Sequence, residues 1–147
     1  MKEEKIKKFF ELSKFQAELF SKDKSTKVCA LFINPESLHV LSMGFNGMPR
    51  NIDETIEKRW ERPQKYKYVV HAEANGIYNA CRSGVSLKDS ICIVNFFPCS
   101  NCAKALIQVG IKEIISNYPD FKHPNYGDDF KYSLEMFNEA KIQITYL

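Results

Sequence analysis

Apolar and polar positions recur along the chain with two different periods, and these periods predict its secondary structure. In residues 4–20 apolar side chains return every three or four positions, which predicts an amphipathic helix. Two nearly continuous apolar runs at 28–34 and 38–47 flank the turn sequence Pro-Glu-Ser and predict two strands joined as a hairpin. Residues 48–67 show no clear period, so we expect a long loop with room for a helical turn.

The second half of the chain alternates helical and strand-like patterns. The predicted elements are helices at 73–82, 101–109 and 128–140 and strands at 90–96, 111–116 and 142–146. Gly84 and Gly110 follow the first two of these helices and are suited to end them. The order is a hairpin followed by strand–helix–strand crossovers. We therefore expect one α/β domain over 1–147, a three-layer α/β/α sandwich with a five-stranded mixed sheet.

Composition narrows the classes of function that need to be considered. The hydrophobic fraction is 44% and the charged fraction 27%, which are ordinary values for a globular protein. A net charge of +3 is too small to indicate nucleic-acid binding, but it is compatible with a small anionic ligand such as a nucleotide. The first helix has no apolar signal core, and no later run is long enough to span a membrane. We expect a cytoplasmic protein with no membrane contact.

Metal-binding side chains occur at two predicted strand-to-helix junctions. The run YKYVVHAEANGIYNA contains His71 and Glu73, and the run FFPCSNCAKALIQ contains Cys99 and Cys102. Thiolates and a neutral imidazole suit zinc, and catalytic zinc sites commonly use three protein ligands. Helix N-termini also favour the thiolate form of cysteine. The spacing therefore predicts a catalytic zinc held by His71, Cys99 and Cys102, with Glu73 as a proton carrier that is not a ligand.

Other interpretations of these residues are open at this level. A Cys-x-x-Cys pair also occurs in redox sites, and a further cysteine would complete a structural zinc site with four ligands. However, Cys29, Cys81 and Cys92 lie in apolar strand or helix patterns, which indicates small core residues. His39 within a strand and His123 in a loop show no ligand spacing. The combination of His-x-Glu with Pro-Cys-x-x-Cys, each opening a helix, favours catalysis.

This combination is a signature of zinc-dependent nucleobase deaminases, and the chain resembles the cytidine and deoxycytidylate deaminase superfamily. Three blocks carry the resemblance: GFNGMP at 44–49, YKYVVHAEANGIYNA at 66–80 and FFPCSNCAKALIQVGIKEII at 96–115. The zinc motif is common to the superfamily, and GFNGMP is similar to its dCMP branch. The resemblance implies a cytidine deaminase-like fold and zinc-dependent hydrolysis of dCMP to dUMP and ammonia, which would supply dUMP for thymidylate synthesis.

The resemblance also implies roles for individual residues. A zinc-activated water would give its proton to Glu73, which returns protons to the pyrimidine and to the departing amine. Asn46 matches an asparagine that contacts the sugar, and the backbone of Ala72 would recognise the pyrimidine carbonyl. Arg50 is a candidate for the phosphate, with a solvated turn arginine as the alternative. Tyr126 is the first choice for an aromatic residue against the base; the further candidates are Phe45, Phe97 and Tyr118.

Regulation and assembly follow from the resemblance as further expectations. Members of the family are often homo-oligomers, in particular hexamers, that are activated by dCTP, with Mg²⁺ as an accompanying ion, and inhibited by dTTP. The effector candidates are Gly44, Asn46, Gly47 and Arg82. Asn79 stands where some regulated members have an aromatic residue. Two further positions differ from the usual glycine and alanine of the family: Cys29 and Gly76.

Alternative functions belong to different classes. Within the same chemistry, the substrate could be dCTP, CMP or cytidine instead of dCMP. Deamination of adenine in tRNA would favour a strongly basic surface, which a net charge of +3 does not provide. A regulatory paralogue with a purely structural zinc is the interpretation without catalysis. The presence of Glu73 argues against this last interpretation, because a structural zinc site does not need a non-ligating carboxylate.

Overall fold

The computed structural model describes residues 2–147, and in this range the elements predicted from the hydrophobic pattern are all present. The helices are α1 (Lys2–Phe20), α2 (Lys65–Tyr68), α3 (Ala72–Ser83), α4 (Ser100–Gln108) and α5 (Gly127–Glu139). The strands are β1 (Cys29–Ile33), β2 (Val40–Phe45), β3 (Ile91–Val94), β4 (Glu113–Ser116) and β5 (Gln143–Tyr146). The predicted long loop carries a 3₁₀ turn at Glu57–Trp60 and the short helix α2.

The five strands form one mixed sheet in the order β2-β1-β3-β4-β5. β1 pairs antiparallel with both β2 and β3, whereas β4 pairs parallel with β3 and with β5. The predicted hairpin and the predicted parallel crossovers are therefore both confirmed. Because β2 and β3 are each antiparallel to β1, they run in the same direction, and their carboxyl ends lie at the same edge of the sheet.

Both faces of the sheet are covered by helices, as the element order predicts. Side chains alternate across β1, so that Ala30 and Phe32 face one side and Leu31 and Ile33 face the other. The first side belongs to a buried cluster that includes residues of α3, α4 and α5, and the second packs against α1. This arrangement is the three-layer α/β/α sandwich.

The amphipathic first helix covers its face of the sheet alone. Ile6, Phe10 and Ala17 are buried, whereas Phe15 and Leu19 are 61% and 60% exposed. The apolar stripe of α1 is therefore wider than the surface that it covers. Among residues 2–147, no helix combines the length and the apolar character needed to cross a membrane.

A contact between two glycines holds α3 against the sheet. A Cβ atom on Gly44 of β2 would lie 2.1 Å from the backbone nitrogen of Gly76 and 2.3 Å from the carbonyl oxygen of Ala72. A Cβ atom on Gly76 would lie 2.4 Å from the ring of Phe32. The strand and the helix thus touch through their backbones, and Ser42 adds a hydrogen bond of 2.6 Å to the carbonyl of Gly76. Glycine at this position leaves room for the Phe32 ring.

The substitution Gly44→Ala tests this contact. The added methyl group would overlap the backbone of α3, so we expect a loss of roughly 1–3 kcal/mol in the free energy of unfolding. Urea denaturation should show a lower midpoint. Gly47→Ala is the matched control, because its Cβ atom would meet only the Phe45 ring, at 3.9 Å. Equal midpoints for the two variants would contradict the proposed packing.

Candidate active site

The two junctions with the predicted ligands meet at the carboxyl edge of β2 and β3. The second follows β3 as predicted, but the prediction of a strand before His71 is wrong: that run forms α2 and a single bridge between Val70 and Gly47. His71 is the residue immediately before α3, and Cys99 is the residue immediately before α4. The Nδ1 atom of His71 lies 3.4 Å from the Sγ atom of Cys99 and 3.4 Å from that of Cys102. Ligand atoms of the three side chains all lie within 4.8 Å of one another. The structure thus brings together the three residues predicted to bind zinc.

This donor set fits a zinc ion in both chemistry and spacing. Zinc binds thiolate sulfur at about 2.3 Å and imidazole nitrogen at about 2.0–2.1 Å, usually in tetrahedral geometry. Neighbouring ligands around such an ion are about 3.6 Å apart, and the nitrogen–sulfur distances here are 3.4 Å. Two thiols with one imidazole are also ligands that zinc prefers over magnesium or calcium.

The electrostatics of the two cysteines favour binding of a cation. The pKa of Cys99 lies well below the ordinary thiol value, because Cys102 and His71 donate hydrogen bonds to its sulfur and outweigh the effect of burial. The pKa of Cys102 is raised by this shared hydrogen bond and by burial. A divalent cation bound by both sulfurs would displace the proton of Cys102.

Glu73 lies in the first turn of α3, next to the cysteines and almost fully buried. Only 4% of the residue is exposed. Burial, and after it the negative charge of Cys99, raises the pKa of Glu73 to about 7, while His71 opposes the rise. A carboxyl group with this pKa can both accept and donate a proton near neutral pH, which suits general acid–base catalysis.

Asp129 of α5 ties down the start of α4, between the two cysteines. Its Oδ2 atom accepts a hydrogen bond of 2.6 Å from the backbone nitrogen of Ser100, and its Oδ1 atom accepts one of 2.7 Å from the Ser100 hydroxyl. The carboxylate satisfies a free N–H group at the N-terminus of α4. Sequence analysis missed this residue, because no local pattern links two positions so far apart in the chain.

A narrow cleft with a cavity volume of about 50 Å³ opens beside the cluster. His71, Ala72, Glu73 and Cys99 form part of its surface. Its other lining residues are Asp23, Thr26, Val28, Asn46, Lys65, Tyr66, Val69, Phe96, Phe97 and Tyr126. Aromatic and aliphatic side chains thus surround a small number of polar groups, which is the usual composition of a small-molecule site.

Asn46 shapes one wall of this cleft. Its side-chain oxygen accepts hydrogen bonds from the Ser21 hydroxyl at 2.7 Å and from the Val28 nitrogen at 3.0 Å. Its amide nitrogen donates to the Thr26 carbonyl at 2.8 Å. An amide nitrogen has two N–H donors, so one N–H of Asn46 is left for a ligand. The residue therefore fixes residues 21–28 and has a donor to spare.

A buried ion pair forms another part of the wall. The Nζ atom of Lys65 lies 2.8 Å from Oδ2 of Asp23, and the side chains are only 7% and 3% exposed. Lys65 also donates to the Ser25 hydroxyl at 2.8 Å. Burial tends to raise the pKa of Asp23, but hydrogen bonds from Lys65, Ser25 and Thr26 outweigh it and the pKa is lowered. Sequence analysis did not identify this pair.

The aromatic candidates fall in different places. Tyr126 and Phe97 line the cleft, and the Tyr126 ring lies edge-on to His71 with ring centroids 6.5 Å apart. Phe96, which sequence analysis did not single out, lines it as well. Phe45 instead borders a second pocket, and Tyr118 is 67% exposed and packs on Tyr146.

The remaining predicted residues lie away from the cleft. Arg50 and Gly47 line the second pocket, where Arg50 donates a hydrogen bond to the side-chain oxygen of Asn79. Asn46 borders both pockets. Gly44 is packed beneath α3, and Arg82 is exposed and borders neither pocket. The structure therefore groups Gly47 with Arg50 and separates both from His71.

The other cysteines and histidines have different surroundings. Cys29 and Cys92 are fully buried, as predicted. The prediction of a core position for Cys81 is wrong, because this residue lies on the outer side of α3 and is exposed. His39 is bonded to the Ser37 hydroxyl, and His123 accepts a hydrogen bond from a backbone nitrogen in its own loop. Within residues 2–147 neither histidine joins the metal-binding cluster.

Comparison with known protein families agrees with this site. Residues 3–117 match the model of the cytidine and deoxycytidylate deaminase zinc-binding region. The chain belongs to this family. A curated relative from Aliivibrio fischeri, described as an uncharacterized deaminase in the luxG 3′ region, is 34% identical over 143 residues, covering 96% of this chain and 92% of the relative. The family supports a zinc-binding deaminase in which the His-Cys-Cys cluster is the metal centre.

Other similar proteins are named for their substrate. The human deoxycytidylate deaminase is 39% identical over 101 residues, which cover 65% of this chain and 54% of that protein. This chain thus matches about half the length of the human enzyme. The crystal structure of dCMP deaminase from cyanophage S-TIM5, in complex with dCMP and dUMP, has a TM-score of 0.80. It covers 100% of this chain and 99% of that chain, at 21% identity, so it confirms the fold.

The buried pair between Asp23 and Lys65 predicts sensitivity to acid. The pKa of Asp23 is lowered on folding, so its ionised carboxylate stabilises the folded state. This stabilisation is fully present above the pKa of Asp in the unfolded chain, about 3.9, and is lost as the pH falls through the lower pKa of the folded state. Asp23→Asn should therefore reduce the free energy of unfolding at pH 7 by roughly 3–5 kcal/mol. It should also flatten the dependence of stability on pH between about 5 and 2.

The control for this substitution is Asp128→Asn. Asp128 forms an ion pair with Lys131, but the side chains are 92% and 62% exposed. Exposed ion pairs contribute at most about 1 kcal/mol to the free energy of unfolding. Urea denaturation at several pH values should separate the two variants. An Asp23→Asn protein with the acid profile of the unmodified chain would contradict the role of this pair.

Proposed function

We propose that this protein catalyses the zinc-dependent hydrolysis of dCMP to dUMP and ammonia. The observation that carries the proposal is the convergence of His71, Cys99 and Cys102 with the buried carboxyl of Glu73 in one cleft. A purely structural metal site would not need Glu73 at this position. Membership of the deaminase family supports the reaction type, and the named substrates of the human and phage relatives support dCMP.

The proposed metal ligands are His71, Cys99 and Cys102. When bound, zinc lowers the pKa of a coordinated water, so that hydroxide is available near neutral pH. Glu73 would accept a proton in its carboxylate form and donate it to N3 of the pyrimidine. A second transfer by the same carboxyl group would carry a proton to the amine that leaves C4. Both protons come from the water, so that dCMP and water give dUMP and ammonia.

The substrate would be oriented by the start of α3 and by the two walls of the cleft. Ala72 is the first residue of α3, where backbone N–H groups have no partner within the helix, and this position suits the pyrimidine carbonyl. The remaining N–H of Asn46 would bond a sugar hydroxyl. Tyr126 and Phe97 would pack against the base.

We also propose that the second pocket binds an effector nucleotide, dCTP or dTTP, with Mg²⁺ accompanying the triphosphate. Its lining includes Trp60 for a base and Arg50 for phosphates, whereas Lys22 is paired with Glu54 of the same pocket. Gly47 lies on the same pocket and Asn46 on both, so that the loop between β2 and α2 connects the effector to the substrate. The exposed apolar side chains of α1 support assembly into a homo-oligomer.

The state of the cysteines supports a location in the cytoplasm. All five side chains are free thiols. Structural disulfides are common in oxidising compartments and rare in the cytosol. A reducing compartment would also keep Cys99 and Cys102 available as metal ligands.

Two substitutions separate metal binding from proton transfer. Cys102→Ala removes a proposed ligand, so zinc content and activity should fall together. Glu73→Gln keeps the size of the side chain and removes only the ionisable group. This variant should retain one zinc per chain and lose activity by about a hundred- to ten-thousand-fold. Metal analysis of the purified proteins and ammonia release are the measurements. Full zinc content in Cys102→Ala would remove this residue from the ligand set.

The substrate is tested by ammonia release from dCMP, dCTP, CMP, cytidine, deoxycytidine and single-stranded DNA. We expect dCMP to have the highest kcat/KM. Addition of dCTP should raise the activity at low dCMP and dTTP should lower it. A preference for another cytosine substrate would correct the substrate and leave the chemistry unchanged. A protein with zinc and no activity on any of these compounds would be a non-catalytic member of the family.

A further inference from the structure

The charges in the cleft leave the phosphate of the substrate without a partner. A phosphate monoester carries nearly two negative charges at pH 7. The cationic lysine in the wall, Lys65, is already neutralised by Asp23 at 2.8 Å. Glu73 places a carboxyl group on the other side. A monophosphate substrate therefore requires another cation at or near the mouth of the cleft.

Arg62 borders a neighbouring pocket and is bonded to a residue of the cleft. Its Nε atom donates a hydrogen bond of 2.7 Å to the hydroxyl of Tyr66, a cleft residue that is 48% exposed. A guanidinium has five N–H donors. Within residues 2–147, the bond to Tyr66 is the one hydrogen bond that Arg62 makes, and no carboxylate forms an ion pair with it. Four N–H groups therefore remain for a ligand, including the edge formed by the two terminal nitrogens.

We propose that Arg62, oriented by Tyr66, binds the 5′-phosphate of the nucleotide substrate and gives the enzyme its preference for monophosphates over nucleosides. This inference rests on the proposed deaminase function. The two terminal nitrogens of Arg62 can contact two phosphate oxygens at once, which is a geometry that arginine offers and lysine does not. Arg50 is a weaker candidate, because it lies in the second pocket and is bonded to Asn79.

The test compares dCMP with deoxycytidine. Arg62→Ala should lower kcat/KM for dCMP by at least about tenfold, the value of one charge-assisted hydrogen bond, mainly through a higher KM. The rate with deoxycytidine should stay unchanged, because this substrate has no phosphate. Arg62→Lys should restore part of the loss. Tyr66→Phe removes the group that orients Arg62 and should reduce dCMP use in the same direction by a smaller factor.

A matched control is Lys67→Ala. Lys67 is exposed and lies next to Tyr66 in the chain, and its side chain makes no hydrogen bond or ion pair among the residues that the structure describes. The Lys67→Ala variant loses one positive charge, as Arg62→Ala does. A similar loss of kcat/KM for dCMP in both variants would indicate general electrostatic attraction and would overturn a specific contact between Arg62 and the phosphate. Calorimetric titration with dUMP and deoxyuridine adds a readout without turnover. Arg62→Ala should weaken dUMP binding at least about tenfold and leave deoxyuridine binding unchanged.

The outcomes distinguish the inference from the function on which it rests. If the unmodified protein prefers dCMP and Arg62→Ala keeps that preference, the phosphate is held elsewhere and the deaminase function stands. An equal loss on dCMP and deoxycytidine, in a variant with an unchanged thermal midpoint, would mean that Arg62 shapes the cleft and does not bind phosphate. If the unmodified protein uses deoxycytidine as well as dCMP, both the monophosphate substrate and the role of Arg62 are wrong.

Discussion

The backbone contact between β2 and α3 determines the geometry of the whole site. Gly44 and Gly76 allow the helix to lie against the strand with no side chain between them. This contact fixes the start of α3, and with it His71 and Glu73, relative to the sheet. α4 begins just beyond β3, which runs parallel to β2, so Cys99 and Cys102 reach the same edge. The metal-binding cluster is therefore a product of strand direction and of one close helix–strand contact.

The cleft beside this cluster depends on buried polar groups that satisfy one another. Asn46 fixes residues 21–28 through three hydrogen bonds, and Lys65 with Asp23 forms an ion pair in the same wall. In a low-dielectric environment each of these groups would be costly without its partner. Their mutual satisfaction makes the wall rigid. A rigid wall holds a substrate in a defined orientation, which is a main source of rate acceleration in enzymes.

The sequence was sufficient to predict features that are local or periodic. The hydrophobic pattern predicted the strands and the longer helices, and the two junction motifs predicted the cluster of His71, Cys99 and Cys102. The pairs Asp23–Lys65 and Ser100–Asp129 could not be predicted in this way, because their members are 42 and 29 residues apart. Helical periodicity also did not indicate the solvent-facing side of α3 at Cys81.

The position of Arg50 shows a different limit. The residues from Phe45 to Arg50 all border the second pocket, and of these only Asn46 also borders the cleft. Proximity in sequence to Asn46 therefore does not place a side chain in the cleft.

The hydrogen bonds from Ser100 to Asp129 have a consequence for the C-terminal part of the chain. The match to the family model ends at residue 117, whereas α5 begins at Gly127. Through Asp129, this later helix nevertheless orients the segment between two metal ligands. If Cys99 and Cys102 bind zinc as proposed, metal binding and the docking of α5 should strengthen each other. Exchange of the C-terminal helix for another sequence should then change the affinity for the metal.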